Sequence, residues 1–153
     1  MSRLPLKLTA VQHPLERIAQ IFTKIGGNID FKDFLTQVVL NDKYEGQLKE
    51  ELLAYNAQCN FCQPGFEPSH VLKSEFLNVD LIEVLRELSF GEVVQDLPED
   101  FYRLQEFEKV SLEAREVYST VAKKDIMAVW ERYRLDHEVF GYDPRPYVEL
   151  GKQ

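Results

Sequence analysis

Apolar positions along the chain alternate between two periods, and the changes of period mark the elements. Leu6 to Val11 is a run of mostly apolar and β-branched residues that stops at Gln12-His13-Pro14, which predicts a short strand. Leu15, Ile18, Ile21, Phe22 and Ile25 then recur at helical spacing, with Pro14 suited to the first helical position and Gly26-Gly27 to the end. Asp30 is placed to cap a second helix through Phe31, Phe34, Leu35 and Val38, stopping near Asn41-Asp42, and a third, more polar helix is predicted from about Glu45 to Tyr55. Asn56 to Ser69, with Pro64, Gly65 and Pro68, reads as a loop. His70 to Lys73 predicts a buried strand, and Leu77, Leu81, Val84, Leu85 and Leu88 an amphipathic helix ending before Gly91.

Pro98 to Val110 mixes aromatic and charged residues without a period and reads as a loop with a short helix. From about Lys123, the residues Ile126, Val129, Trp130, Tyr133 and His137 share one face of a long helix that closes at Phe140-Gly141-Tyr142, and the tail after Pro146 is expected to fray. Two strand-then-helix units among so many helices predict a helix-rich α/β fold with few short parallel strands. The length of 153 residues suits a single domain, and the 12% of aromatic residues supplies a core.

A formal charge of −8 excludes a sequence-independent nucleic-acid binder, whose affinity rests on lysine and arginine, but leaves room for a local anion pocket. No stretch reaches the ~20 apolar residues of a membrane span, and Met1 to Leu8 is too short for a signal peptide, so the chain as written reads as soluble. Free amides where the first helix leaves the first strand form a candidate anion site, with His13 and Arg17 as side-chain donors. Cys59 and Cys62 supply half of a four-ligand zinc site, and His13, His70 and His137 lack the spacing to complete it, so no metal is expected. A thioredoxin-like role needs the pair to open a helix, which Pro64, Gly65 and Pro68 oppose.

Four segments, in order, resemble one family. Val11-Gln12-His13-Pro14-Leu15-Glu16-Arg17-Ile18 is similar to the V-R-[HD]-P-[FL]-E-R-[LI] motif of Golgi carbohydrate sulfotransferases of the chondroitin 4-sulfotransferase and HNK-1 sulfotransferase type. Ile29 to Phe34 resembles that family's I-[ST]-F-x-[ED]-F segment. Cys59-Asn60-Phe61-Cys62, followed by Lys73 to Asp80, resembles its C-x-x-C and K-x-E-x-L-x-x-D stretches. Trp130 to Tyr142 resembles its Y-x-x-Y-x-x-D-[FY]-x-x-F-G-Y signature.

The resemblance implies a P-loop-kinase-like α/β fold that transfers sulfuryl from 3′-phosphoadenosine 5′-phosphosulfate to a glycan hydroxyl, in the Golgi lumen or at its membrane, without a metal. It also implies two donor-binding elements. The one that cradles the 5′-phosphosulfate would lie upstream of Met1, so the chain is expected to represent the C-terminal, 3′-phosphate side of the domain and to be inactive alone. In the second element the family's phosphate-binding arginine and serine correspond to Gln12 and Gln20. Glutamine brings no charge and no guanidinium fork.

The donor segment is therefore Gln12, His13, Arg17 and Gln20, in degenerate form. Pro14 and Arg17 also suit a structural role, starting the helix and pairing locally, and Glu16 that of a solvated first-turn acid. His13 is a general base by residue type or a plain turn residue. Lys73 and Glu75, at the end of the second strand, are either part of the acceptor cleft or an exposed pair introducing the next helix. Cys59 and Cys62 form a structural disulfide, consistent with the oxidising Golgi lumen, or remain two buried thiols. A non-catalytic interaction module on the same scaffold, associating with another sulfotransferase, is the alternative function.

Overall fold

The computed structural model describes residues 6–43, 45–59, 63–65, 67–95 and 110–153. In chain order the elements are β1 (Leu8–Val11), α1 (Pro14–Ile25), α2 (Phe31–Asp33) running into a π-helical stretch (Phe34–Val39), α3 (Gln47–Leu52) and α4 (Tyr55–Cys59). They continue with β2 (His70–Lys73), a 3-10 turn (Ser74–Phe76), α5 (Leu77–Glu87), α6 (Gly91–Gln95), α7 (Leu112–Tyr118), α8 (Lys123–Arg132), α9 (Arg134–Phe140) and α10 (Arg145–Val148). Among the described residues no helix is long and apolar enough to cross a membrane. The contacts divide the chain into two compact units, a sheet unit of Met1–Gln12 and Phe61–Phe107 and a helical unit of His13–Asn60 and Glu108–Gln153.

In the sheet unit, β1 and β2 pair in parallel with Leu8 opposite His70 and Val11 opposite Lys73. Parallel neighbours need a long crossover, and the chain between them is long enough to supply one. Val11 and Leu72 are buried on opposite faces of the pair, while Ile82 and Val84 of α5 and Val94 of α6 are the other buried apolar groups among the described residues of this unit. Lys73 N–H donates to Asp80 Oδ2 at 2.8 Å and Ser74 Oγ donates to the Val11 carbonyl at 2.7 Å, which ties the strand ends to the start of α5. The order of strand then helix holds here, with β1 shorter than predicted because Leu6 and Lys7 lie outside it; β2 is not the buried strand expected, since only Leu72 is buried and Val71 is exposed, and α5 buries Ile82 and Val84 while Leu77 is exposed.

The helical unit holds the main core, built from Leu15, Ile18, Phe34, Leu35, Leu52, Tyr118, Ile126, Val129, Tyr133 and Tyr147 among others. Helix α1 starts and stops as its sequence predicts, with Pro14 in the first turn and Gly26 in the left-handed conformation at the end. Asp30 caps α2 by accepting from Asp33 N–H at 2.7 Å. The helix then widens, with Leu40 N–H reaching the Leu35 carbonyl five residues back, and Phe34, Leu35 and Val39 of this wider stretch are buried.

Three predicted boundaries are corrected. The polar third helix breaks at Leu53, whose backbone is extended, and a new helix runs through Tyr55–Cys59 where the sequence predicts a loop. The single long helix from Lys123 is two helices, because Tyr133 leaves helical backbone geometry and sends its hydroxyl to the Leu52 carbonyl. The tail does not fray: Tyr147 is buried in α10, and Lys152 N–H donates to the Val121 carbonyl at 2.8 Å. The loop predicted over Pro98 to Val110 lies outside the described residues except for Val110, which is buried.

Candidate functional site

The N-terminus of α1 is closed by His13 rather than left open. His13 Nδ1 accepts from Leu15 N–H at 3.2 Å, and its Nε2 donates to the Asp143 carbonyl at 3.0 Å. An amide can only donate and a carbonyl can only accept, so the ring is the neutral Nε2–H form and both nitrogens serve the fold. The ring is buried against His137, Tyr142 and Tyr147, with centroids 5.0, 5.0 and 4.3 Å away. In this arrangement His13 is the N-cap of α1.

Glu16 and Arg17 differ from their predicted surroundings. Glu16 is only 7% exposed and its Oε2 accepts from Tyr147 O–H at 2.9 Å, so it is a buried acid rather than a solvated one. Arg17 does not pair locally. Its Nη2 donates to the Leu53 carbonyl at 2.9 Å, and its guanidinium carbon lies 4.2 Å from the centre of the Tyr55 ring and 5.7 Å from that of Tyr133. Its buried Nε and Nη1 have no hydrogen-bond partner among the described residues, and the ring faces beside the guanidinium take the place of one. Gln20 is exposed on α1, and the side chain of Gln12 is half-buried at the end of the sheet unit's first segment.

The C-terminal signature is explained by what it holds. Burial pushes the Tyr133 hydroxyl up from its ordinary value, against the pull of Arg17 and Arg132. Asp136, 1% exposed, accepts from Tyr55 N–H at 2.8 Å and so caps α4 from α9. Phe140 meets the Tyr55 ring edge-on at 5.8 Å. Together Tyr133, Asp136 and Phe140 grip the segment Leu52 to Tyr55, the same segment that holds Arg17. Trp130, expected in the core, is half-buried.

Two further residues of this unit carry buried hydroxyls that the sequence pattern does not single out. Tyr118 is fully buried and donates to the Leu15 carbonyl at 2.8 Å; burial, then Tyr147, Glu16 and Tyr133, push its hydroxyl well above the ordinary value. Tyr147 carries the bond to Glu16 already described. A cleft of about 460 Å³ is lined by Val110, Arg115, Asp143, Arg145, Pro146, Glu149 and Leu150. Its arginines are engaged, Arg145 Nη2 on Asp143 at 2.7 Å and Arg115 Nε on the Val110 carbonyl at 3.2 Å, so it offers an anion little.

At the carboxyl ends of the two parallel strands Val11 stands opposite Lys73, with Gln12 the next residue on the first strand's side and Ser74 and Glu75 the next on the second's. This is where open α/β sheets place ligands. The side chains of Lys73 and Glu75 are half-buried, not exposed. The Cys59–Cys62 pairing lies outside the described residues.

The residues therefore split into a sheet-end group of Gln12, Lys73 and Glu75 and a helical group of His13, Arg17 and Gln20. Neither comparison with individual proteins, curated or of solved structure, returned a match. The family comparison did: the model described as Sulfotransferase family matches residues 5–143, from just before β1 to the turn that follows α9. With its helix-rich α/β fold and parallel strand pair, the chain belongs to the sulfotransferase family.

Proposed function

We propose that this chain is a carbohydrate-sulfotransferase-type protein with a degenerate donor segment. The parent chemistry is transfer of sulfuryl from 3′-phosphoadenosine 5′-phosphosulfate to a glycan hydroxyl, on one domain of P-loop-kinase-like fold working in the Golgi. Family membership supports sulfuryl transfer, and the order of four matching segments supports the carbohydrate type.

One observation carries the degeneracy. In the segment that should grip the 3′-phosphate, His13 gives its ring nitrogens to Leu15 and Asp143, and Arg17 gives Nη2 to the Leu53 carbonyl and lies against the rings of Tyr55 and Tyr133. Gln12 and Gln20 add no charge. These residues do not fit a phosphate dianion. A hydrogen bond to a charged group contributes about 1.5–3 kcal/mol, so an arginine at position 12 would tighten binding roughly 10- to 100-fold.

Calorimetry with adenosine 3′,5′-bisphosphate tests this. No micromolar binding is expected for the chain as it stands, and Gln12→Arg should bind detectably tighter. Micromolar affinity in the unaltered chain would overturn the degeneracy. A second reading, a non-catalytic module that associates with another sulfotransferase, draws on the same engaged side chains and on exposed Leu112 and Val139 of the helical unit. Recovery of such a partner in a pull-down, without donor binding, favours it.

A further inference from the structure

Two histidines from different helices grip consecutive carbonyls of one turn. His13, at the head of α1, donates Nε2–H to the Asp143 carbonyl at 3.0 Å, and His137, in the last turn of α9, sets Nδ1 against the Tyr142 carbonyl at 3.2 Å. Both rings are buried, and they meet edge-on with centroids 5.0 Å apart. Past this turn the chain enters α10, whose Tyr147 packs on the His13 ring and bonds to Glu16.

Both carbonyl contacts are made by donated N–H groups that a charged ring would keep, so the cost of charging the closed state falls on each ring's other nitrogen. A proton on His13 Nδ1 would face the Leu15 N–H that it now accepts, and would place a positive ring at the positive end of α1. His137 Nε2 is buried and has no hydrogen-bond partner among the described residues, so a proton there would be buried without an acceptor. The titratable and charged groups set against the pair are Asp143 in the turn, which acts on both rings, Tyr142 and Tyr147 beside His13, and, behind them, Glu16 on Tyr147 and Arg145 on Asp143. Asp136 holds Tyr55 N–H and Glu16 holds Tyr147, while Asp143 holds Arg145 and also attracts positive charge on both rings, which opposes the release. For His137, burial outweighs the pull of Asp143 and of the Tyr142 contact, and its pKa lies below the ordinary 6.5.

We propose that His13 and His137 form a proton-sensitive clasp, which when neutral holds the segment from Gly141 onward against α1 and when protonated releases it, uncovering Glu16 and the first turn of α1. Above the unfolded value of about 6.5, closed and open states both carry neutral rings and the clasp is shut. As pH falls from there towards the lower value of the closed state, the open state takes up protons that the closed state refuses. Opening is then favoured by up to about tenfold per pH unit for each histidine, and levels off below the closed-state value.

The test is hydrogen exchange read by mass spectrometry on the full chain at pH 7.5 and 5.5, corrected for the intrinsic rate. Peptides covering 141–151 should lose protection at the lower pH, by up to about tenfold for each histidine, while those of α8 keep theirs. In the double variant His13→Asn, His137→Asn, which keeps an acceptor for Leu15 and a donor for Tyr142 but does not titrate, that loss should vanish. Equal protection at both pH values in the unaltered chain, or the same loss in a folded double variant, overturns the proposal. Should the variant fail to fold, nitrogen-15 NMR of the unaltered chain decides. His13 must then show a bare Nδ1 at pH 7.5, and both rings must take up protons over the same pH range in which 141–151 opens; rings that charge without that opening sink the clasp.

Discussion

Removing the carboxylate of Asp136 should unfasten α4. The group is 1% exposed, lies on α9, and accepts from Tyr55 N–H at 2.8 Å, a residue 81 positions earlier in the chain. A hydrogen bond to a charged acceptor contributes about 1.5–3 kcal/mol, and its loss leaves a buried amide unsatisfied. Asp136→Ala is therefore expected to cost about 2–3 kcal/mol, and Asp136→Asn, which keeps an oxygen acceptor without the charge, about 1 kcal/mol. Urea unfolding followed by fluorescence isolates the effect, because the chain's single tryptophan, Trp130, sits on α8 in the same helical unit. With a slope of about 2 kcal/mol per molar, the midpoint of the alanine variant should fall by about 1–1.5 M. A midpoint within about 0.25 M of the unaltered chain at unchanged slope, or about 0.5 kcal/mol, would refute the capping role.

The other predictions concern the glycines and the acid at the C-terminal turn. A Cβ on Gly151 would stand 2.8 Å from Ile126 Cδ1 and 3.1 Å from the Lys123 backbone, so Gly151→Ala should cost about 1–3 kcal/mol and lower the melting temperature by several degrees. Gly26→Ala meets no atom within 4 Å, yet sits at φ +55°, and should cost only about 1 kcal/mol for the left-handed backbone, read from the same melting curves. Asp143, hydrogen-bonded by the Arg145 side chain and backbone, should titrate at about 2 in a carboxyl NMR experiment and move back towards 3.8 in Arg145→Gln. Because that pKa is depressed, its contribution is complete above 3.8 and fades as pH falls towards 2. The acid loss from the histidine clasp, by contrast, begins as pH drops through about 6.5, so the two effects separate along the pH axis.

Elements set by local chemistry are readable in the sequence. Pro14 and Gly26 bracket α1 and Asp30 caps α2, because each signal acts within a turn or two of chain, and the order of β2 then α5 is readable although the buried face of α5, Ile82 and Val84, is not the predicted one. Helix α7 carries a legible signal of the same kind that the period of the apolar residues alone does not bring out: Ser111 accepts from Ala114 N–H at 3.1 Å as an N-cap, and Ala114, Val117, Tyr118 and Val121 recur at helical spacing. What no local pattern shows is burial decided by a distant partner. Glu16 looks like any first-turn acid until Tyr147, 131 residues on, covers it. Arg17 looks like a first-turn base until Tyr55 and Tyr133 close over its guanidinium. The tail after Pro146 looks frayed until Lys152 joins the Val121 carbonyl.

The same distinction separates what the family signature says about fold from what it says about chemistry. Tyr133, Asp136 and Phe140 clamp the Leu52-to-Tyr55 segment, and Pro14 and Arg17 start α1 and pack beside that segment. The position that tells activity from scaffold is therefore one that this packing does not need. Gln12 follows β1 in the sheet unit and is not a member of the helical unit's core. An arginine there should change affinity for a phosphate without touching the Trp130 unfolding midpoint, whereas a replacement at Asp136 should do the reverse.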